Sequence, residues 1–94
     1  MQKVKKLVKD ELIGRTVEIV GSANKANVGL RGRIVDETKN LLVIETSRGL
    51  KKVLKKTNTF QISYLGGKIT VNGGLLLGAP EERIKTKVKN ENTS

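Results

Sequence analysis

The chain has 94 residues, 36% of them hydrophobic, enough for one domain that buries about 60–65% of its unfolded surface in a modest core. Nineteen Lys and Arg against nine Asp and Glu leave a formal charge of +10, an excess that implies a polyanionic partner. The absence of His and Cys removes the usual acid/base near neutral pH, cysteine nucleophiles, disulfides and soft-metal ligands.

In chain order, Lys3 to Ile13 reads as a helix. Val4, Leu7, Val8 and Leu12 share one face at i, i+3, i+4 and i+8, with Lys3, Lys5, Lys6 and Lys9 off it. Gly14 stands where a glycine would stop it. With no good N-cap, and with Asp10 and Glu11 opposing its C-terminal dipole, this helix needs a surface. That surface is either its own sheet or an RNA or protein partner. Arg15 to Val20 alternates as a first strand, and Gly21 to Asn27 is a polar loop.

Val28 to Thr46, VGLRGRIVDETKNLLVIET, reads as a central hairpin turning at Asp36 to Asn40. Leu30, Gly32 and Ile34 alternate with Arg31, Arg33 and Val35, and the second strand is apolar on both faces. Arg48-Gly49 turns into a lysine-laden strand, Leu50 to Lys55. Thr59 to Tyr64 puts Phe60, Ile62 and Tyr64 on one face, and Gly66-Gly67 leads to Lys68 to Val71 with Ile69 and Val71 inward. Short strands every 8–12 residues with glycine turns between them indicate a small antiparallel barrel, closed near Asn72 to Gly74. Leu75 to Leu77 is expected to pack across an open end. Pro80 opens a second helix, with Glu81 and Glu82 at its start, a thin Ile84/Val88 stripe and lysines at its end. The fold class is therefore mainly β. One domain comprises an N-terminal helix (1–14), a β-barrel (15–73), a C-terminal segment and helix (74–90) and a disordered tail (91–94).

Little in the chain can do chemistry. Asp36-Glu37 is better read as turn chemistry than as a metal site, and Glu81-Glu82 as dipole complementation. Gly73 and Gly78 have phosphate-loop spacing, but Ala79-Pro80 replaces the Lys-Ser/Thr that such a loop needs. No catalytic or metal residue is assigned. The positive feature is charge: Arg48, Lys51, Lys52, Lys55 and Lys56 come with no intervening acid, and Arg31 and Arg33 share a hairpin face that could extend the patch. Alternation sets Lys51 and Lys55 opposite Lys52, so not all can meet one surface. Lysines position a phosphate backbone rather than read bases, and Phe60 and Tyr64 alone make no stacking platform. Folded RNA, recognised by shape, suits this set best. A wholly solvated lysine face is the competing reading. No apolar run reaches membrane length and Met1-Gln2-Lys3 leads into no signal sequence, so a cytoplasmic location is expected. Asn92-Thr93-Ser94 matches a glycosylation sequon by chance.

The hairpin VGLRGRIVDETKNLLVIET, preceded by ELIG (Glu11 to Gly14) and followed by PEERIK (Pro80 to Lys85), resembles the archaeal ribonuclease P protein component 1 family from about Glu11 to Lys85. Leu54, Leu41 and Arg15 depart from that family's pattern, where proline, threonine and an apolar residue are common. The resemblance implies a Sm-like twisted barrel flanked by terminal helices. It implies a non-catalytic subunit that binds the ribonuclease P RNA and meets precursor tRNA only indirectly. The RNA, with Mg²⁺, would perform hydrolysis, and the chain itself would bind no cofactor. Another protein subunit would pair with the terminal regions, here Val4, Leu7, Val8, Leu12, Ile84 and Val88. The alternative is a different basic barrel, such as a ribosomal or Sm-like RNA-binding protein, which the VDET and PEERIK pieces argue against. An SH3- or Tudor-type module would need more aromatics.

Overall fold

The structure, a computed structural model, describes residues 2–84. Six antiparallel strands make one sheet: β1 (Thr16–Ser22), β2 (Arg31–Glu37), β3 (Leu41–Thr46), β4 (Gly49–Leu54), β5 (Asn58–Tyr64) and β6 (Gly67–Asn72). Their spatial order is β4-β3-β2-β1-β5-β6. All six strands lie close to their predicted spans, but β1 runs on to Ser22 and β2 to Glu37, into stretches read as loop and turn; Phe60, Ile62, Tyr64, Ile69 and Val71 all face the core.

The barrel does not close. β4 and β6 form the two edges of the sheet and do not pair. After β6 the chain turns into a 3-10 helix (Gly73–Leu76) that lies against the β4–β5 connection instead. The approach is so close that a Cβ on Gly73 would fall 1.7 Å from the Lys55 carbonyl oxygen. Of the expected Leu75–Leu77 plug, only Leu76 enters the core, while Leu75 and Leu77 remain exposed.

The first helix is shorter than its pattern. α1 (Gln2–Val8) ends in i→i−3 bonds from Lys9 and Asp10, and Gly14 is not its cap. Gly14 instead donates to the Ile34 carbonyl. Stopping early lets Leu12 leave the helical path and enter the sheet core, which also holds Leu7, with Val4 and Val8 packed at its margin. So α1 docks on its own sheet. At the other end, residues 80–84 are helical, with Glu82 Oε1 accepting from Ala79 N at 3.0 Å in half of a capping box. Lys85 onward, including Val88 and the tail expected at 91–94, lies outside the described residues.

Two bulges interrupt the pleat, between Ile19 and Gly21 and between Ile34 and Asp36. The second has the larger consequence. Strict alternation from Ile34 would turn Asp36 inward and Glu37 to water. The extra residue reverses this, setting Asp36 opposite Val43 on the outer face and Glu37 opposite Leu42 inside.

Candidate nucleic-acid interface

The seven cations singled out by charge occupy five different settings. Arg31, Arg48 and Lys51 converge on one groove of about 570 Å³, between the segment Ala26 to Leu30 and the β3–β4 turn. Asn27, Thr46 and Ser47 add neutral hydrogen-bonding groups, and no acid lines the groove. Its walls are held by local bonds. Asn24 Oδ1 accepts from Ala26 N at 3.0 Å and caps a 3-10 turn (Lys25–Asn27) on one side. On the other, Thr46 Oγ1 accepts from Arg48 N at 3.1 Å and donates to the Gly49 carbonyl at 2.8 Å. Gly49 takes φ +107°, which lets a two-residue turn present Arg48 at its tip.

Arg33 lies outside the groove, on the outer sheet face, with its guanidinium 3.9 Å from Glu45. Both groups are more than half exposed, so the pair holds little energy but partly neutralises the charge. Lys52 points outward from edge strand β4 between Leu50 and Leu54, and Lys56 sits beyond the far end of β4.

Lys55 corrects the sequence reading outright. Its side chain is wholly buried, and its ammonium donates to Glu37 Oε2 at 2.7 Å and to the Gly78 carbonyl at 2.9 Å. It is therefore unavailable to an external phosphate. The alternation that set Lys55 opposite Lys52 holds, but the opposite side at this level is the interior. Burial pulls the Lys55 pKa below its ordinary value, against the opposing pull of Glu37.

Glu37 also accepts a bidentate bond from Arg83, Nε at 2.9 Å and Nη2 at 2.5 Å. Arg83 Nη1 donates onward to the carbonyls of Val8 and Asp10, at 2.6 and 2.9 Å, serving the end of α1. One buried carboxylate thus joins β2, the β4–β5 connection and the residue 80–84 turn, and through Arg83 the N-terminal segment. Nearby, Tyr64 Oη donates to Asp10 Oδ2 at 2.8 Å, and the Arg15 guanidinium lies 4.6 Å above the Tyr64 ring.

The expected partner face is largely consumed by this packing. Leu7 and Leu12 are fully buried in the chain's own core, because α1 lies against the sheet. Val4, Val8 and Ile84 keep part of their surface, and Val88 lies outside the described residues. A groove of about 400 Å³ beside them is lined by Val8, Lys9, Lys39, Leu77, Gly78, Glu82 and Arg83. Among the described residues, no cluster of three or more acids could hold a metal ion.

Residues 5–86 match the family model for ribonuclease P/MRP, subunit p29. The chain belongs to this family. It is 48% identical over 84 residues to ribonuclease P protein component 1 of Methanocaldococcus jannaschii, covering 88% of each chain. Identity to the protein of the same name from Archaeoglobus fulgidus is 44% over 79 residues, 84% of this chain and 78% of that one. A solved structure described as a homologue of the human RNase P protein Rpp29 matches with TM-score 0.56 at 39% identity, covering 80% of this chain and 99% of that chain. The VDET and PEERIK stretches that carry the p29 resemblance meet inside the fold, as Glu37 and Arg83.

Sequence reasoning missed Asn27, Thr46 and Ser47 as groove residues and Glu37 and Arg83 as a buried pair. No local signal marks the first three. The second two could have been sought in an acid and an arginine lying within the two quoted motifs.

Proposed function

We propose that the chain is a non-catalytic, RNA-binding protein subunit of ribonuclease P, acting in the cytoplasm on the 5′ leader of precursor tRNA only through the assembled ribonucleoprotein. The observation that carries this is the acid-free groove of Arg31, Arg48 and Lys51 on a family member of formal charge +10. Three cations spaced around a concave surface suit successive phosphates of a folded RNA backbone, with Asn27, Thr46 and Ser47 available for sugar and phosphate oxygens. No aromatic lines the groove, so base stacking contributes nothing there. The Mg²⁺ that phosphodiester hydrolysis requires is held by the RNA, and the chain binds no cofactor of its own. A further protein subunit pairs with the terminal region, where the groove beside Val8 and Leu77 remains open.

The test is reconstitution. The purified chain alone should leave precursor tRNA intact, and adding it to the cognate RNA with the other protein subunits should raise cleavage. Cleavage by the RNA-free chain that survives repurification would overturn the non-catalytic assignment.

A further inference from the structure

We propose that the outer edge of β4 receives an extended strand from another protein of the assembly, one carrying an acidic residue between two apolar ones. This rests on the proposed function only for where that strand comes from. Among the described residues β4 pairs with β3 alone. Its two-residue turn makes Thr46 and Gly49 the closing pair, and antiparallel alternation then directs the backbone N–H and C=O of Leu50 and Lys52 away from β3. These are unspent ladder groups on an open edge.

The side chains of the same residues face outward. Leu50 is 63% exposed and Leu54 52% exposed, one on each side of Lys52. On the adjoining strand, half-buried Leu41 lies opposite Leu54 and extends the apolar surface behind the edge, while Val43, opposite Lys52, is itself buried. Two large exposed leucines beside free backbone groups fit strand addition, in which the main chain supplies affinity and alternate side chains supply choice.

Charge selects the occupant. Lys51 and Lys52 form no ion pair with any described residue, so the edge is cationic at its middle. A second copy pairing antiparallel through β4, with Leu50 opposite Leu54, would set Lys52 against its own counterpart. RNA would suit Lys52, but it would dehydrate Leu50 and Leu54 against a charged backbone. An apolar-x-acidic-x-apolar strand satisfies all three groups: its carboxylate meets Lys52, and its apolar residues cover the two leucines.

Backbone amide exchange tests this in the free chain, on the cognate RNA alone, and in the reconstituted ribonucleoprotein with the other protein subunits. The Leu50 and Lys52 amides should exchange quickly in the first two states and slow by at least about tenfold in the third. Leu54→Pro removes a donor that the β3–β4 ladder does not use and no charge, and should abolish that protection nearby while leaving RNA affinity unchanged. The double variant Leu50→Thr, Leu54→Thr keeps strand propensity and should weaken retention of the same subunit about tenfold. Protection on RNA alone would overturn the inference in favour of nucleic acid, and concentration-dependent protection in the free chain in favour of a second copy. Fast amides in an assembly that cleaves would overturn it while leaving the proposed function standing. Failure of the assembly to form or cleave would remove both.

Discussion

Glu37 is the residue on which most of the interior electrostatics converge, and its loss leaves two buried cations without a counter-charge. Glu37→Gln should lower stability by about 3–5 kcal/mol, measured by denaturant unfolding. Lys55→Met keeps the bidentate Arg83–Glu37 pair and should be milder. A Glu37→Gln loss under about 1 kcal/mol would contradict the buried network. Alkaline titration separates two further residues. Burial, then the bond to Asp10, raises the Tyr64 pKa above its ordinary 10.0. Above pH 10 the unfolded chain therefore releases this proton first, and Tyr64 loses its stabilising contribution as pH rises through the folded value. The stability gap between wild type and Tyr64→Phe should narrow above pH 10 in thermal melts. Lys55, whose pKa is lowered, pulls the other way: its contribution grows as pH rises from the folded value toward 10.5. A Tyr64→Phe gap constant to pH 11 would contradict the assigned shift.

At the scale of elements, alternation and turn chemistry were enough to find all six strands, because Phe60, Ile62 and Tyr64 or Ile69 and Val71 state their face directly. What alternation cannot register is a bulge. One extra residue at β2 sent Glu37 inward, and with it went the reason for burying Lys55. The length of α1 was equally hidden, since Leu12 continues the helical stripe yet reaches the core by a different path. The β5–β6 turn shows a local cost. Leu65 adopts φ +50° and Gly66 φ +78°, a pair of left-handed residues for which Asn-Gly is the favoured choice. Leu65 is also exposed, so its side chain recovers little by burial. Leu65→Asn should raise stability by about 1 kcal/mol, a few degrees in melting temperature. A loss of stability would mean that Leu65 packs in a way its exposure does not indicate.

For the whole molecule, net charge identified the kind of partner, but chain order could not say which cations act together. Arg48 and Lys51 are near in sequence and meet in space, Lys55 is nearer to Lys51 than Arg31 is, and yet Arg31 shares the groove while Lys55 is buried. Only the pairing of β2, β3 and β4 settles that sorting. In this p29 family member, Arg31, Arg48 and Lys51 are proposed to grip the RNA backbone together. A salt titration of RNA affinity tests it most directly, comparing wild type with the triple variant Arg31→Gln, Arg48→Gln, Lys51→Gln on the cognate RNA. Each phosphate contact contributes roughly 0.7–0.9 to the slope of log affinity against log salt, so the triple variant should reduce the slope by about 2 or more. All three side chains are exposed, and thermal melts should change little. An unchanged slope and affinity with an intact fold would contradict the claim.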